Sequence, residues 1–149
     1  MADLSGSSTA EIHAPIDEVW ALVEDVEAAP EWQGGLNGVR ALDRDADGRA
    51  TRCEAETDAR VRTIKSIVRF TYDGPGALSW TQEKGELKSV EGSWKLEGLG
   101  GERTRATYTI AVEFGGRLAL LIRGPVVDLL RQMLAGARAG ELKREVEGG

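Results

Sequence analysis

Cysteine and histidine are almost missing from this chain: its 149 residues hold one of each, Cys53 and His13. A lone cysteine cannot close a disulfide within the chain. With a single histidine it cannot supply the usual sulfur and imidazole ligands of zinc either, so no metal site is expected. No run of about 18 apolar residues occurs, which predicts no integral membrane segment. The opening Met-Ala-Asp-Leu-Ser-Gly-Ser-Ser has neither the basic start nor the apolar centre of a secretory signal, and reads as the beginning of a cytoplasmic protein. Positive charge is also in short supply. Nineteen Lys and Arg against 25 Asp and Glu give a formal charge of −6, and such a surface repels a phosphate backbone, so nucleic acid is not the expected partner. No P-loop, dinucleotide glycine fingerprint, HExxH or GxSxG is present, and no cofactor is called for.

What the chain does have is 41% hydrophobic residues, enough for one core and one domain over 1–149, with an ordered part expected at about 8–146. Its 19 glycines fall mostly between patterned segments, as turn punctuation. After a frayed start at residues 1–6, a short strand is expected at 7–13. Pro15 can open a helix because a first-turn residue has no intrahelical use for an N–H. Ile16, Val19, Trp20 and Val23 then recur at helical spacing, predicting a helix over 16–24, and residues 28–32 read as a second short helix ended by Gly34 and Gly35. From there the period changes to two. Strands are expected at 37–44, 49–59, 60–72, 77–83, 87–96 and 103–114, a meander of antiparallel neighbours with turns at 45–48, 73–76 and 98–101.

Helical periodicity returns over 117–146. Val126, Leu129, Leu130, Met133, Leu134 and Ala137 make a broad apolar face, with Asp128, Arg131, Gln132 and Arg138 mostly away from it. Gly124-Pro125 interrupts the pattern and predicts a kink or a late start. Gly136 and Gly140 weaken it further. The break is also the best candidate for a flexible portal edge, and Gly124→Ala is expected to slow ligand exchange. These elements satisfy burial if a curved sheet wraps the long helix, an α+β arrangement that leaves room for a cavity between them.

Three stretches carry a resemblance: Glu11-Ile12-His13-Ala14-Pro15-Ile16-Asp17-Glu18-Val19-Trp20 with Pro30-Glu31-Trp32; Gly92-Ser93-Trp94-Lys95-Leu96 with Thr104-Arg105-Ala106-Thr107-Tyr108; and Leu142-Lys143-Arg144-Glu145-Val146-Glu147. Together they resemble the START-like or Bet v 1-like superfamily with its helix-grip fold, in particular the bacterial polyketide cyclase/dehydrase and lipid-transport group, over about residues 8–147. The resemblance implies a curved antiparallel sheet of about seven strands around a long C-terminal helix. It also implies a cavity for a hydrophobic small molecule, in proteins that include carriers of lipids, sterols or quinones as well as aromatic polyketide cyclases.

Strand parity selects the residues expected to face that cavity: Cys53, Ser66, Val68, Phe70, Tyr72, Trp80, Gln82, Trp94, Tyr108 and Ile110 from the sheet, with Leu130 and Met133 from the long helix and Trp32 at its entrance. Trp80 and Trp94 can serve both as core volume and as flat ligand contacts. Ser66, Tyr72, Tyr108 and Gln82 can add polar contacts. His13 should point outward because Ile12 points in, and Cys53 reads as a small buried hydrophobe. Asp43, Asp45 and Asp47 lack the distal glutamate of a calcium loop and read as a solvated turn. Arg60, Arg62, Lys65 and Arg69 are expected to pair across strands with Glu54, Glu56 and Asp58. No catalytic residue can be assigned on these patterns.

Three functions compete. A carrier of a lipid, quinone or polyketide-like molecule needs an open apolar cavity. A cyclase or dehydratase acting on a poly-β-ketone needs, in the same cavity, a group that moves protons. An interaction domain predicts an exposed apolar patch and a collapsed cavity. The oligomeric state is not legible.

Overall fold

The computed structural model describes residues 3–59 and 62–148; Arg60 lies outside them. Seven strands form one antiparallel sheet: β1 (Leu4–Ile12), β2 (Leu36–Arg44), β3 (Ala50–Asp58), β4 (Thr63–Asp73), β5 (Ala77–Gly85), β6 (Ser89–Gly100) and β7 (Arg103–Glu113). Their order is β1-β7-β6-β5-β4-β3-β2, so every pair except β1 with β7 joins sequence neighbours. Between β1 and β2 come α1 (Ile16–Glu24) and a 3₁₀ helix (Val26–Glu31). After β7 come α2 (Gly116–Leu121), α3 (Pro125–Arg131), a π-helical turn (Gln132–Gly136) and α4 (Arg138–Gly148). The sheet curves over this C-terminal cover, as the helix-grip expectation requires.

The strands form where alternation demanded them. In β7, Thr104, Ala106, Tyr108, Ile110 and Val112 are buried while Arg103, Arg105 and Thr109 face solvent. Thr104, the buried polar member, is satisfied: its hydroxyl donates to Ala14 O at 2.8 Å, tying β7 to the loop before α1. Helix α1 buries Val19, Trp20 and Val23, and each such apolar side chain contributes about 1.5–3 kcal/mol on burial.

Two boundaries depart from expectation for a physical reason. β1 starts at Leu4 rather than Ser7, within a stretch expected to fray. The chain there is small rather than apolar because the C-terminal cover rests directly on its backbone: a Cβ at Gly6 would lie 3.0 Å from the Ala135 methyl and 3.2 Å from Arg131 Cγ. Polar bonds fix the same seam. Arg131 Nε donates to Ser5 O at 3.0 Å, Ala139 N to Ser8 Oγ at 3.0 Å, and Lys143 Nζ to Glu11 O at 2.7 Å. β6 runs on through Gly98 to Gly100, and the turn falls at Gly100, Gly101 and Glu102, all at positive φ.

The cover is not one continuous α-helix. It breaks at Gly124, whose φ of 63° and ψ of −136° suit glycine alone, and Pro125 opens α3 behind it. A second interruption was not expected. Around Gln132–Gly136 the ladder widens, with Ala137 N donating to Gln132 O at 2.9 Å. A π-turn spends one more residue than an α-turn, so every later position is rotated relative to simple α-periodicity. Arg138 then stands where Ala137 would have faced the core. It is 3% exposed, whereas the sequence pattern placed it on the outer face.

On the convex face the charge pairing is partly as expected. Lys65 meets Glu56 at 3.5 Å, but Arg69 pairs with Glu83 on β5 at 3.1 Å and Arg62 with Glu86, not with the acids of β3. Asp45 accepts the N–H groups of Asp47 and Arg49 in the β2–β3 turn and pairs with the Arg49 guanidinium. Among the described residues no group of acidic, His and Cys side chains could hold a metal ion, and no helix is long and apolar enough to cross a membrane.

Candidate functional site

The hollow between sheet and cover has two ends of different character. Around Trp20 of α1 it is solid. Trp20 meets the Tyr72 ring edge-on at 6.5 Å, the Tyr72 hydroxyl donates to Ala50 O at 2.5 Å, and the Arg49 guanidinium lies 4.7 Å from the centre of the same ring. Cys53 is fully buried there. Burial pushes its thiol from an ordinary 9.0 up to about 11, with Glu27 pushing the same way, so it stays protonated at neutral pH. Burial likewise raises the Tyr72 phenol. Neither residue lines the cavity.

The rest of the hollow is a cavity of about 160 Å³. Its sheet wall comprises Ala55 and Thr57 of β3, Ile64, Ser66, Val68 and Phe70 of β4, Leu78 and Trp80 of β5, Val90 and Trp94 of β6, and Tyr108, Ile110 and Val112 of β7. Val23, Val26, Ala29, Gln33 and Leu36 bound it after β1, and Ile122, Leu130, Leu134 and Arg138 close it from the cover. Aromatic rings run along the wall: Phe70 to Trp80 at 5.9 Å, Trp80 to Tyr108 at 5.6 Å, and Tyr108 to Trp94 at 4.8 Å between centroids. Gly92 sits opposite Trp80 in the β5–β6 register and lets the indole lie on bare backbone. A Cβ there would fall 2.3 Å from ring atoms.

Eight of the expected residues therefore stand in the wall: Ser66, Val68, Phe70, Trp80, Trp94, Tyr108, Ile110 and Leu130. Five do not. Cys53 and Tyr72 are used up by the packed end. Gln82 turns its Nε2 to Leu87 O at 2.7 Å, bracing the end of β5. Trp32 lies behind Trp94, ring centroids 6.1 Å apart, with its indole N–H buried and unbonded. Met133, within the π-turn, covers Gly35, and its neighbour Leu134 faces the cavity instead.

The residue that the sequence pattern missed is Arg138. Its Nη1 donates to Glu141 Oε1 and to Gly34 O, both at 2.9 Å, while Glu141 Oε2 accepts the Gly34 N–H at 2.8 Å. The guanidinium lies 5.6 Å from the centre of the Tyr108 ring. Burial raises the Tyr108 phenol, and the neighbouring Arg138, by its charge and by a hydrogen bond to the phenol oxygen, opposes that shift. Among the described lining residues Arg138 and Tyr108 are the ionisable groups, and no carboxylate, imidazole or thiol is present. His13 lies outside, its side chain 69% exposed and near Glu147. The weak helical propensity at Gly136 and Gly140 was the only hint in the sequence that the register slips before Arg138.

The family model described as polyketide cyclase/dehydrase and lipid transport matches residues 12–137. The chain belongs to this family. Its membership fits an apolar pocket walled by a curved sheet, and it supports a hydrophobic ligand-binding or cyclase role. Solved structures of similar shape include a START superfamily protein from Mycobacterium smegmatis, 23% identical, with a TM-score of 0.81 over 97% of both chains. A protein from Thermus thermophilus is 18% identical, with a TM-score of 0.80 over 97% of both chains. The Zhui aromatase/cyclase from a Streptomyces species is 19% identical, with a TM-score of 0.74 over 96% of this chain and 93% of that one. At these identities the likeness shows the fold. A search of curated proteins finds no match.

Proposed function

We propose that the protein binds and carries a hydrophobic small molecule of lipid, quinone or polyketide-like character in the cavity between sheet and cover. The observation that carries this reading is the cavity itself: about 160 Å³ of empty, largely apolar space beneath a helix already anchored along β1. A volume near 150 Å³ lined by apolar groups stays dry and accepts a benzene-sized ring without rearrangement. A longer guest needs the cover to yield, and the Gly124 break is the place for it. Leu120, Leu121 and Leu129 are exposed on the outer side of this segment, while Ile122 and Leu130 line the cavity from within.

The cyclase reading asks for a base that takes a proton from an acidified methylene. The described lining residues offer a phenol and a guanidinium but no carboxylate, imidazole or thiol to take that proton, and this supports carriage over cyclisation. The docking reading finds its exposed apolar patch in the three leucines, but it called for a filled hollow, and the empty volume weighs against it.

Native mass spectrometry of the purified protein tests the proposal. A co-purified apolar guest of defined mass is expected, and Ala55→Phe, which places a ring in the cavity wall, should release it while the circular dichroism spectrum stays unchanged. A guest retained by Ala55→Phe, or turnover of an aromatic polyketide precursor by the native protein, would overturn it.

A further inference from the structure

Besides its indoles, the cavity is lined by polar side chains of two kinds. Arg138 and Tyr108 are tied to the protein itself: the guanidinium bonds Glu141 Oε1 and Gly34 O at 2.9 Å and also the phenol oxygen, and both residues are buried. Thr57, Ser66 and Gln33 are not tied in this way. Thr57 stands opposite Ile64 and Ser66 opposite Ala55 in the β3–β4 register, and all four line the cavity. Residues directly opposite share a face, so Thr57 and Ser66 are diagonal neighbours on the concave side. Gly85, opposite Ser66 on β5, leaves that serine uncovered: a Cβ there would fall 2.8 Å from Ser66 Cα and Cβ. Neither hydroxyl has a hydrogen-bond partner among the described residues, and neither is sealed from a water-sized molecule as Arg138 Nε is. Gln33, on the turn into β2, adds an amide at the same end, where Asp58 N donates to Gly35 O at 2.8 Å. The chemistry of this end is neutral and works in both directions. A guest hydroxyl can accept from one of the two side chains and donate to the other, which an indole N–H cannot match because it only donates. A guest carboxylate would enter an apolar space whose one lining cation is already matched by Glu141.

We propose that Thr57 and Ser66 form the polar subsite of the cavity and that its natural guest carries an uncharged hydroxyl, an alcohol or a phenol, held between them with the apolar body against Val68, Phe70 and Trp80. This rests on the carrier reading and specifies the chemistry of the guest. Thr57 and Ser66 are binding residues here, and Gly85 keeps the space beside Ser66 open.

The test uses three probes that share one ring: benzyl alcohol, ethylbenzene, which has a methyl in place of the hydroxyl, and benzoate. Each is titrated into the full chain and followed by the NMR signals of the Trp80 and Trp94 indole N–H groups. Thr57→Val, which keeps the branched shape and removes the hydroxyl, should weaken benzyl alcohol about fivefold, the factor for one neutral hydrogen bond, and leave ethylbenzene unchanged. Ser66→Ala should do the same. These two substitutions sit on different strands, so either decides if the other fails to fold. Tyr108→Phe, which removes a hydroxyl outside the proposed subsite, should change the two probes by the same factor. Benzoate should bind the native protein more weakly than benzyl alcohol. Benzyl alcohol binding that survives both Thr57→Val and Ser66→Ala, a selective loss of the alcohol in Tyr108→Phe, or a native preference for benzoate overturns the subsite and leaves the carrier reading standing. Binding of none of the three overturns the carrier reading, and the subsite with it.

Discussion

The two walls of the cavity are built on opposite plans. The sheet wall is the more regular: β4 to β7 pair as successive antiparallel neighbours, with register shifts at Ile67/Val68 and Gly98/Gly100, and side chains of one parity supply the ring series Phe70, Trp80, Tyr108, Trp94. The cover is irregular, broken at Gly124 and widened at Gln132–Gly136. The more regular wall is largely apolar and aromatic, with hydroxyls at Thr57, Ser66 and Tyr108, while the irregular wall brings in the charged group, Arg138. Arg138 enters through one interruption, and the other divides a segment with exposed leucines outside and cavity-lining side chains inside. A pocket of this kind can keep a rigid back and still admit guests from the front.

The comparison predicts that stability resides in the sheet. Trp94 is 2% exposed and touches both Trp32 and Tyr108. Trp94→Ala should cost about 3–5 kcal/mol in urea denaturation; a loss below about 1 kcal/mol would mean that the wall is not the stable part.

Next in size is the packed end of the same wall. The folded Cys53 thiol titrates near 11 against an ordinary 9.0, so between those values the unfolded chain loses its proton first and stability falls as pH rises. The fall across that window should reach about 2 kcal/mol, and should be smaller by that amount in Cys53→Ala. Denaturation curves at about pH 8, below the window, and about pH 11, at its upper end, read the difference. Identical pH slopes in the two proteins would show that Cys53 is not held in a dry, packed site.

The smallest effect belongs to the cover. A Cβ on Gly124 meets nothing within 4 Å, so Gly124→Ala feels only the backbone. Its φ of 63° is one that alanine resists, and about 1 kcal/mol of strain is expected. Stiffening alone led to the expectation of slower ligand exchange, but the strain falls on the closed cover, and the sign reverses: stopped-flow release of a bound fluorescent fatty acid should be faster in Gly124→Ala. An unchanged rate would remove the break from the entry path.

The order of strands and the α1 boundaries were legible because the apolar period switches cleanly between two and 3.6, and Gly and Pro mark the joints. β1 was legible only in part, because Gly6 and Ser8 are chosen to seat a helix rather than to fill a core. For the site, parity put eight side chains in the wall. It could not see that Cys53 and Tyr72 are consumed by Trp20 and its surroundings, since which end of a hollow fills depends on contacts distant in sequence. Arg138 was illegible for another reason: a π-turn has no local motif, and reading 126–138 with a constant period necessarily turned the guanidinium outward.

That widened turn makes the character of the pocket depend on residue count as well as residue type. Deleting one position within 132–136 would restore an ordinary spiral and leave the Arg138 head inward, because the residue removed is the one the widened turn holds in excess, whereas deleting one from α3 with the widened turn kept would swing that head by about 100°. The side chain that this coil turns toward the chamber is thus set by how many residues precede it as well as by which residues they are.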